Sequence, residues 1–379
     1  MRSSIAATTL TALVTLVVTS CGPALPLPGA HAGAGPPDSG GPYLIMASAQ
    51  QGTDGFPMVD WSGKVRGTFH PLQLCAPGTG PCFSPIFSPD GTRAVLNNEV
   101  ISDAGASLGT LPISANKSVT GSTVTQYALD EFVWGDDSRH LCAIGSAGSV
   151  TSSPGRADMV QPTLPEPTRL YLTGPGDPEP HLIATLAGGG TTQDESHVLA
   201  CSPSHGTALT ATYLLPGPSR LIIQLIRLSD GAVVATRTYP SGPGKMNTRQ
   251  SDYVSSVDGR ELAENASDNT AVIDVVTGIP MGPPLPGHVR LFSADGQRAA
   301  LTRGGAGDGC AGAEVVDVRT GRVLWQTDVI ADGAKSRPDR AHADLAIGLR
   351  DHNVWIVGSD GSSRILASNT GVVADAQTC

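Results

Sequence analysis

Two short phrases alternate along this chain, and their spacing leaves few folds open. The first is Phe87-Ser88-Pro89-Asp90-Gly91-Thr92-Arg93-Ala94-Val95-Leu96, repeated as Phe292-Ser293-Ala294-Asp295-Gly296-Gln297-Arg298-Ala299-Ala300-Leu301. Looser copies begin at Trp134, Cys201 and Ser256. Each is an apolar residue, a tight turn and a second apolar run. Proline presets φ for such a turn, aspartate hydrogen-bonds back to the main chain, and glycine accepts positive φ. The product is a β-hairpin. The second phrase, Val272-Ile273-Asp274-Val275-Val276-Thr277-Gly278, is a hairpin of another kind. Its copies carry turn glycines at 63, 105, 176, 231, 278, 321 and 361, spaced 42, 71, 55, 47, 43 and 40 residues apart. Two hairpins per repeat make one four-stranded sheet every roughly 40–50 residues, the period of a propeller blade.

Composition agrees with an all-β fold. Glycine and proline number 46 and 30 of 379 residues, which disfavours long helices. Hydrophobic residues at 40% are enough for a core. Runs such as Val-Ile-Asp-Val-Val suit strands covered on both faces. The expectation is a single β-propeller of seven four-stranded blades. Six is the alternative, because the last repeat has the least regular inner turn, around Arg337 to Ala343. A sandwich or a stack of two β domains is the competing architecture. The first repeat lacks an inner hairpin before the strand Tyr43–Ser48, and the chain ends on Gly371-Val372-Val373-Ala374-Asp375-Ala376. The C-terminal strand is therefore expected to complete the first blade and close the ring, which removes exposed sheet edges.

The two phrases resemble the WD40-like repeats of the TolB and YVTN type, which form β-propellers. The resemblance covers about residues 43–379, although no copy has the Gly-His and Trp-Asp signature of true WD40 repeats.

The N-terminus reads as an address. Met1-Arg2-Ser3-Ser4 gives a basic start, and an uncharged apolar stretch runs from Ile5 to Thr19. These are the parts of a secretory signal, too short for a comfortable membrane span. Val18-Thr19-Ser20-Cys21 resembles the lipobox of bacterial lipoproteins, whose cysteine is diacylated after cleavage before it. That resemblance implies a signal peptide over 1–20 and lipidation of Cys21. The Gly/Pro/Ala-rich segment that follows, to residue 42, reads as a tether. The expected location is extracytoplasmic, lipid-anchored to the bacterial cell membrane.

Antiparallel order puts all the tight turns on one end of the ring. The longer segments 113–130, 146–168, 187–196, 240–251, 303–313 and 329–340 are expected at the other end, where rigidly held loops often carry function. Six cysteines remain beyond Cys21. Cys75 and Cys82 flank one loop, Cys142 and Cys201 fall on strands of adjacent blades, and Cys310 and Cys379 are left on opposite faces. An exported chain with an even set suggests disulfides, with pairings left open.

Candidate chemistry is thin. Gly105-Ala106-Ser107-Leu108-Gly109 matches a nucleophile elbow but spans a hairpin turn with no helix to follow. Gly304 to Gly309 precedes a strand rather than the helix a phosphate loop needs. His197, Cys201 and His205 have donor spacing but no evident fourth zinc ligand. Asp136, Asp137, Asp194, Glu195, Asp308 and Asp332 are scattered and lack a calcium-loop pattern. Trp61, Trp134, Trp325 and Trp355 are expected between blades. No catalytic residue, metal or cofactor is assigned. The excess of 34 acids over 24 bases argues against a nucleic-acid surface. The expected function is a binding or interaction scaffold for a protein, peptide or cell-envelope component on the long-loop face. The alternative is a lactonase-like propeller hydrolase with acidic residues converging at the central channel.

Overall fold

In the computed structural model the chain is described over residues 41–48, 55–69, 85–96, 98–112, 114–120, 123–153, 156–159, 167–187, 195–214, 220–240, 253–266, 269–304, 311–373 and 376–377. Seven antiparallel sheets follow one another as the blades of a propeller, and there is no helix among the described residues. Seven blades are present rather than six. Blade 1 holds, from the axis outward, Thr370–Val372, Tyr43–Ser48, Phe56–Asp60 and Val65–Phe69. Blade 2 is Ile86–Phe87, Arg93–Leu96, Glu99–Ser102 and Ser107–Thr110. The four principal strands of blade 3 are Thr123–Trp134, Leu141–Ser153, Arg169–Thr173 and His181–Thr185. Blade 4 is Glu195–Ser202, Thr207–Leu214, Arg220–Arg227 and Val233–Pro240. Blade 5 is Tyr253–Ser255, Glu261–Asn265, Asn269–Asp274 and Leu285–Pro286. Blade 6 is His288–Phe292, Arg298–Arg303, Gly312–Asp317 and Val323–Thr327. Blade 7 is Ala331–Ser336, Leu345–Leu349, Asn353–Val357 and Ser363–Ser368.

The repeated phrase works as a hydrogen-bonded turn. In blades 2, 5 and 6 a buried serine (Ser88, Ser256, Ser293) ends the inner strand. Its hydroxyl donates to the aspartate two residues on, at 2.7, 2.9 and 2.6 Å. The same oxygen accepts the main-chain N–H of the residue five on, at 3.0, 2.9 and 3.0 Å. No polar atom of that serine is buried without a partner, which removes the desolvation penalty an orphan would carry. Gly91, Gly259 and Gly296 then take φ near +70°, the left-handed region where a side chain is strained.

Apolar side chains fill the seams between blades. Leu209, Ile223 and Leu225 of blade 4 meet Leu262 and Ile273 of blade 5. Val272 and Leu285 meet Phe292 and Val316 across the next seam, and Val315 meets Leu345 and Ile347 across the one after. Trp61 lies in the seam between blades 7 and 1, and Trp134 in that between 2 and 3. Trp325 and Trp355 lie against each other at the seam of blades 6 and 7, ring centroids 5.9 Å apart. The tryptophans thus sit where the sequence put them. The seam of blades 3 and 4 is fastened differently, by a disulfide between Cys142 and Cys201 with Cα atoms 5.7 Å apart.

The ring closes non-covalently. Met46, Ala47 and Ser48 pair with Val372, Gly371 and Thr370, and Val373 N–H donates to the Ile45 carbonyl at 2.8 Å. The sequence expectation ran this strand to Ala376. Instead Ala376 and Gln377 leave blade 1 and pair with Ala334 and Gly333 of blade 7. Blade 1 consequently has two chain segments where the other blades have a turn. Tyr43 N–H fills part of that place by donating to the Asp90 carbonyl at 2.7 Å.

Three segments expected as long loops are largely strand. Residues 329–340 contain the inner strand of blade 7, whose Gly, Asp and Lys content reads as loop but whose backbone is paired on both edges. Segments 113–130 and 146–168 hold much of an extended hairpin. Thr123 to Trp134 pair with Thr151 to Leu141 in one ladder, flanked by Ser114–Thr120 on one edge and Arg156–Met159 on the other. This sheet projects beyond the blade by roughly 20 Å at the rise of an extended chain.

Candidate ligand-binding cavity at the channel mouth

The inner strands all run toward the end of the ring that carries the tight turns, so their last residues converge there. They enclose a cavity of about 770 Å³, within the roughly 300–1,000 Å³ usual for small-molecule sites. Phe132 and Trp134, Phe87, Leu291 and Phe292 supply apolar wall, and Pro89, Val257, Ala294 and Pro338 come from the turns. The cavity therefore lies at the end opposite the long connections. Its ionisable lining groups are Asp136, His205, Lys335 and Arg340.

Asp136 and His205 face each other across the seam of blades 3 and 4. Blade 3 varies the turn: Gly135 takes the serine position, Asp137 the aspartate position, and Ser138 the left-handed position at φ 54°. Asp136 thereby stands where blades 2 and 4 have Pro89 and Pro203. Its carboxylate accepts the Ser202 hydroxyl at 2.7 Å and the Ser204 N–H at 3.1 Å, and it also bonds the Ser204 hydroxyl. His205 Nδ1 lies 3.1 Å from the same carboxylate, 2.7 Å from Ser202 Oγ and 3.0 Å from Ser204 Oγ. A nucleophilic relay needs the serine and the acid on opposite ring nitrogens. Here both hydroxyls and the acid share Nδ1, so the cluster fixes an imidazole and joins two blades.

Blade 7 supplies the cations. Lys335 ends an inner strand at the position held by Phe87, Trp134, Cys201, Ser255 and Phe292 elsewhere. It is 1% exposed, and its Nζ lies 3.5 Å from the Ser88 carbonyl of blade 2. The side chain thus crosses the gap left by the turn missing from blade 1. Arg340 reaches over the turn of blade 6, where Ala294 leaves room, to Asp258 of blade 5 at 3.0 Å. Burial pushes the Asp258 carboxyl up, but hydrogen bonds from Arg260 N–H, Ser256 and Arg340 outweigh it and hold the group below the usual carboxylate range. Arg337 lies over the Trp61 ring at 5.9 Å and beside Asp344 at 3.3 Å.

The other residues singled out in the sequence do not converge. Asp137 is engaged with His140 at 2.5 Å, His197 with Glu131 at 2.8 Å, and Asp332 with Arg350 at 2.9 Å. Cys201 is in the disulfide, so His197, Cys201 and His205 do not form a ligand set. Among the described residues no cluster of three or more His, Cys, Asp or Glu has the arrangement of a metal site. Ser107 begins the outer strand of blade 2, on a hairpin. Asp136 is the one carboxylate among the described cavity-lining residues, and among these, acids from several blades do not meet. Cys21, Cys75, Cys82, Asp194, Asp308, Cys310 and Cys379 lie outside the described residues. Nothing in the local sequence around Lys335 and Arg340 marks them as site residues. Aligning the inner turns on their serine would have shown Lys335, one of four lysines in the chain, at a place otherwise uncharged.

No protein-family model matches the sequence, and a search of curated proteins found no match. Similar solved structures include BamB from Moraxella catarrhalis, at 15% identity over 88% of this chain and 84% of that one, with a TM-score of 0.36. TolB from Acinetobacter baumannii is 14% identical over 74% and 61%, at 0.38. Dipeptidyl peptidase 4 from Porphyromonas gingivalis is 12% identical over 78% and 46%, at 0.41. The chain spans less than half the length of three peptidases whose structures it matches. At that level of likeness none of these informs on activity or partner.

Proposed function

We propose that this chain is an exported, lipid-anchored propeller that binds a protein, peptide or envelope component at the tight-turn end of its channel. The observation that carries the reading is the cavity itself, closed by apolar wall and rimmed by side chains of separate blades. On this reading the binding end is the tight-turn end rather than the long-connection face expected from the sequence. Export is supported by the signal-like residues 1–20 and by the Cys142–Cys201 disulfide, a bond that persists in oxidising compartments. Anchoring rests on Cys21, with residues 22–42 as the tether.

Two experiments separate these parts. Val257→Trp places a large ring in the cavity wall at a half-buried position; crosslinked partners recovered from intact cells should fall while thermal unfolding stays near wild type. Equal recovery, with loss instead on shortening 146–168, would return the function to the other face. Cys21→Ser should abolish acyl labelling and membrane retention, and unchanged retention would remove the anchor.

A further inference from the structure

The charge inside the cavity runs against that of the chain. The protein carries 34 acids and 24 bases, yet among the described lining residues of its cavity two cations, Lys335 and Arg340, stand against a single acid. That acid, Asp136, is already bonded to Ser202, Ser204 and His205, and its side chain is 10% exposed. The surface offered to a ligand is therefore apolar wall with cations at its blade 7 side. Among the described residues Arg340 is held by Asp258 through one nitrogen, with its side chain 47% exposed. A guanidinium carries five donors in a planar fork that matches a carboxylate. Lys335 and Arg340 against Asp136 leave one net positive charge on the described lining, which a monoanion balances.

We propose that the cavity binds an apolar ligand bearing one carboxylate, either an organic acid or the apolar C-terminus of a peptide, with Arg340 and Lys335 as its anion-binding residues. This rests on the channel mouth being the binding end. Arg340 exchanges Asp258 for the ligand carboxylate, so Asp258 is a built-in competitor. The Phe87, Phe132 and Trp134 side hosts the apolar body.

The test is calorimetric titration of the full-length protein with acetyl-Phe-Phe, its C-terminal amide, 3-phenylpropionate and 3-phenylpropanol. The acids should bind about tenfold or more tighter than their neutral partners, the size expected of one charge-assisted contact. Arg340→Gln is at an exposed position and should remove most of that preference while the protein keeps a single cooperative unfolding transition. Asp258→Asn should tighten acid binding several-fold, which a merely structural ion pair would not do. Lys335→Met should weaken acids more than neutrals, with Arg340→Gln deciding if that variant does not fold. A peptide acid bound more tightly than 3-phenylpropionate identifies a chain terminus as the source; the reverse identifies a free acid. Equal affinity of acid and neutral ligands overturns the anion assignment alone. Binding of none of the four overturns the cavity as a site as well.

Discussion

Removing residues 370–379 takes away the strand that closes the ring, and the cost can be worked from its contacts. The strand pairs three residues with Met46, Ala47 and Ser48. Beside it, Val373 N–H bonds the Ile45 carbonyl at 2.8 Å and Thr370 N–H bonds the His352 carbonyl at 3.0 Å. With the two ladder bonds of the Ala47–Gly371 pair these make four main-chain bonds, which at about 1 kcal/mol net each contribute roughly 4 kcal/mol. Val372 is 8% exposed in the seam with Ala346, Val354 and Ile356, and its burial adds roughly 1.5–2 kcal/mol. The sum, about 5–6 kcal/mol, approaches the whole stability of many domains. At an m-value of about 3 kcal/mol per M of urea, the unfolding midpoint should fall by roughly 2 M. Urea titration followed by the four tryptophans reads this directly. Removing only 376–379 spares the closing strand and should shift the midpoint far less. A chain ending at residue 369 that unfolds at the wild-type urea concentration would refute closure by this strand.

Other consequences follow from the seams. Replacing Cys142 and Cys201 with alanine reopens a 59-residue separation and should cost about 4 kcal/mol by loop entropy, read as a drop in urea midpoint that reducing agent reproduces in wild type. Hydrogen bonds donated to the Asp137 and Glu131 carboxylates raise the His140 and His197 imidazoles above their ordinary 6.5. Their stabilisation is thus complete below about pH 6.5 and lost as pH climbs through the raised values. The melting temperature of wild type should fall more than that of His197→Gln between pH 6 and 8.5. Gly231 and Gly176 have φ of +68° and +81°. A Cβ at 231 would lie 2.0 Å from the Ile183 carbonyl oxygen, whereas nothing stands within 4 Å at 176. Gly176→Ala should cost about 1–2 kcal/mol for the left-handed backbone, and Gly231→Ala more than twice that; equal losses would mean the blades do not approach so closely.

Much of the ring was readable because its turns are local. Ser88-Pro89-Asp90-Gly91 dictates its own hairpin through bonds within five residues, and seven spaced glycines count the blades. Closure was readable from what was missing before Tyr43. The path beyond Val373 was not, since Ala376 chooses between two edges that differ only in the assembled ring. The inner strand Ala331–Ser336 hid for a related reason: burial on both faces comes from neighbouring blades, and its own residues carry little strand signal. The cavity was the least readable part. Lys335 meets Ser88, 247 residues away, and Arg340 meets Asp258, 82 residues away. Contacts of that span exist only because the repeat curls into a circle, so no local pattern announces them.

A partner bound at the tight-turn end of the channel lies within reach of residue 338 and not of residue 328. Photo-crosslinking residues placed singly at Pro338, in the cavity wall, and at Asp328, exposed on a connection at the other end, test this in intact cells. Adducts from position 338 that are lost in Val257→Trp are the predicted result. Adducts from position 328 alone would contradict it.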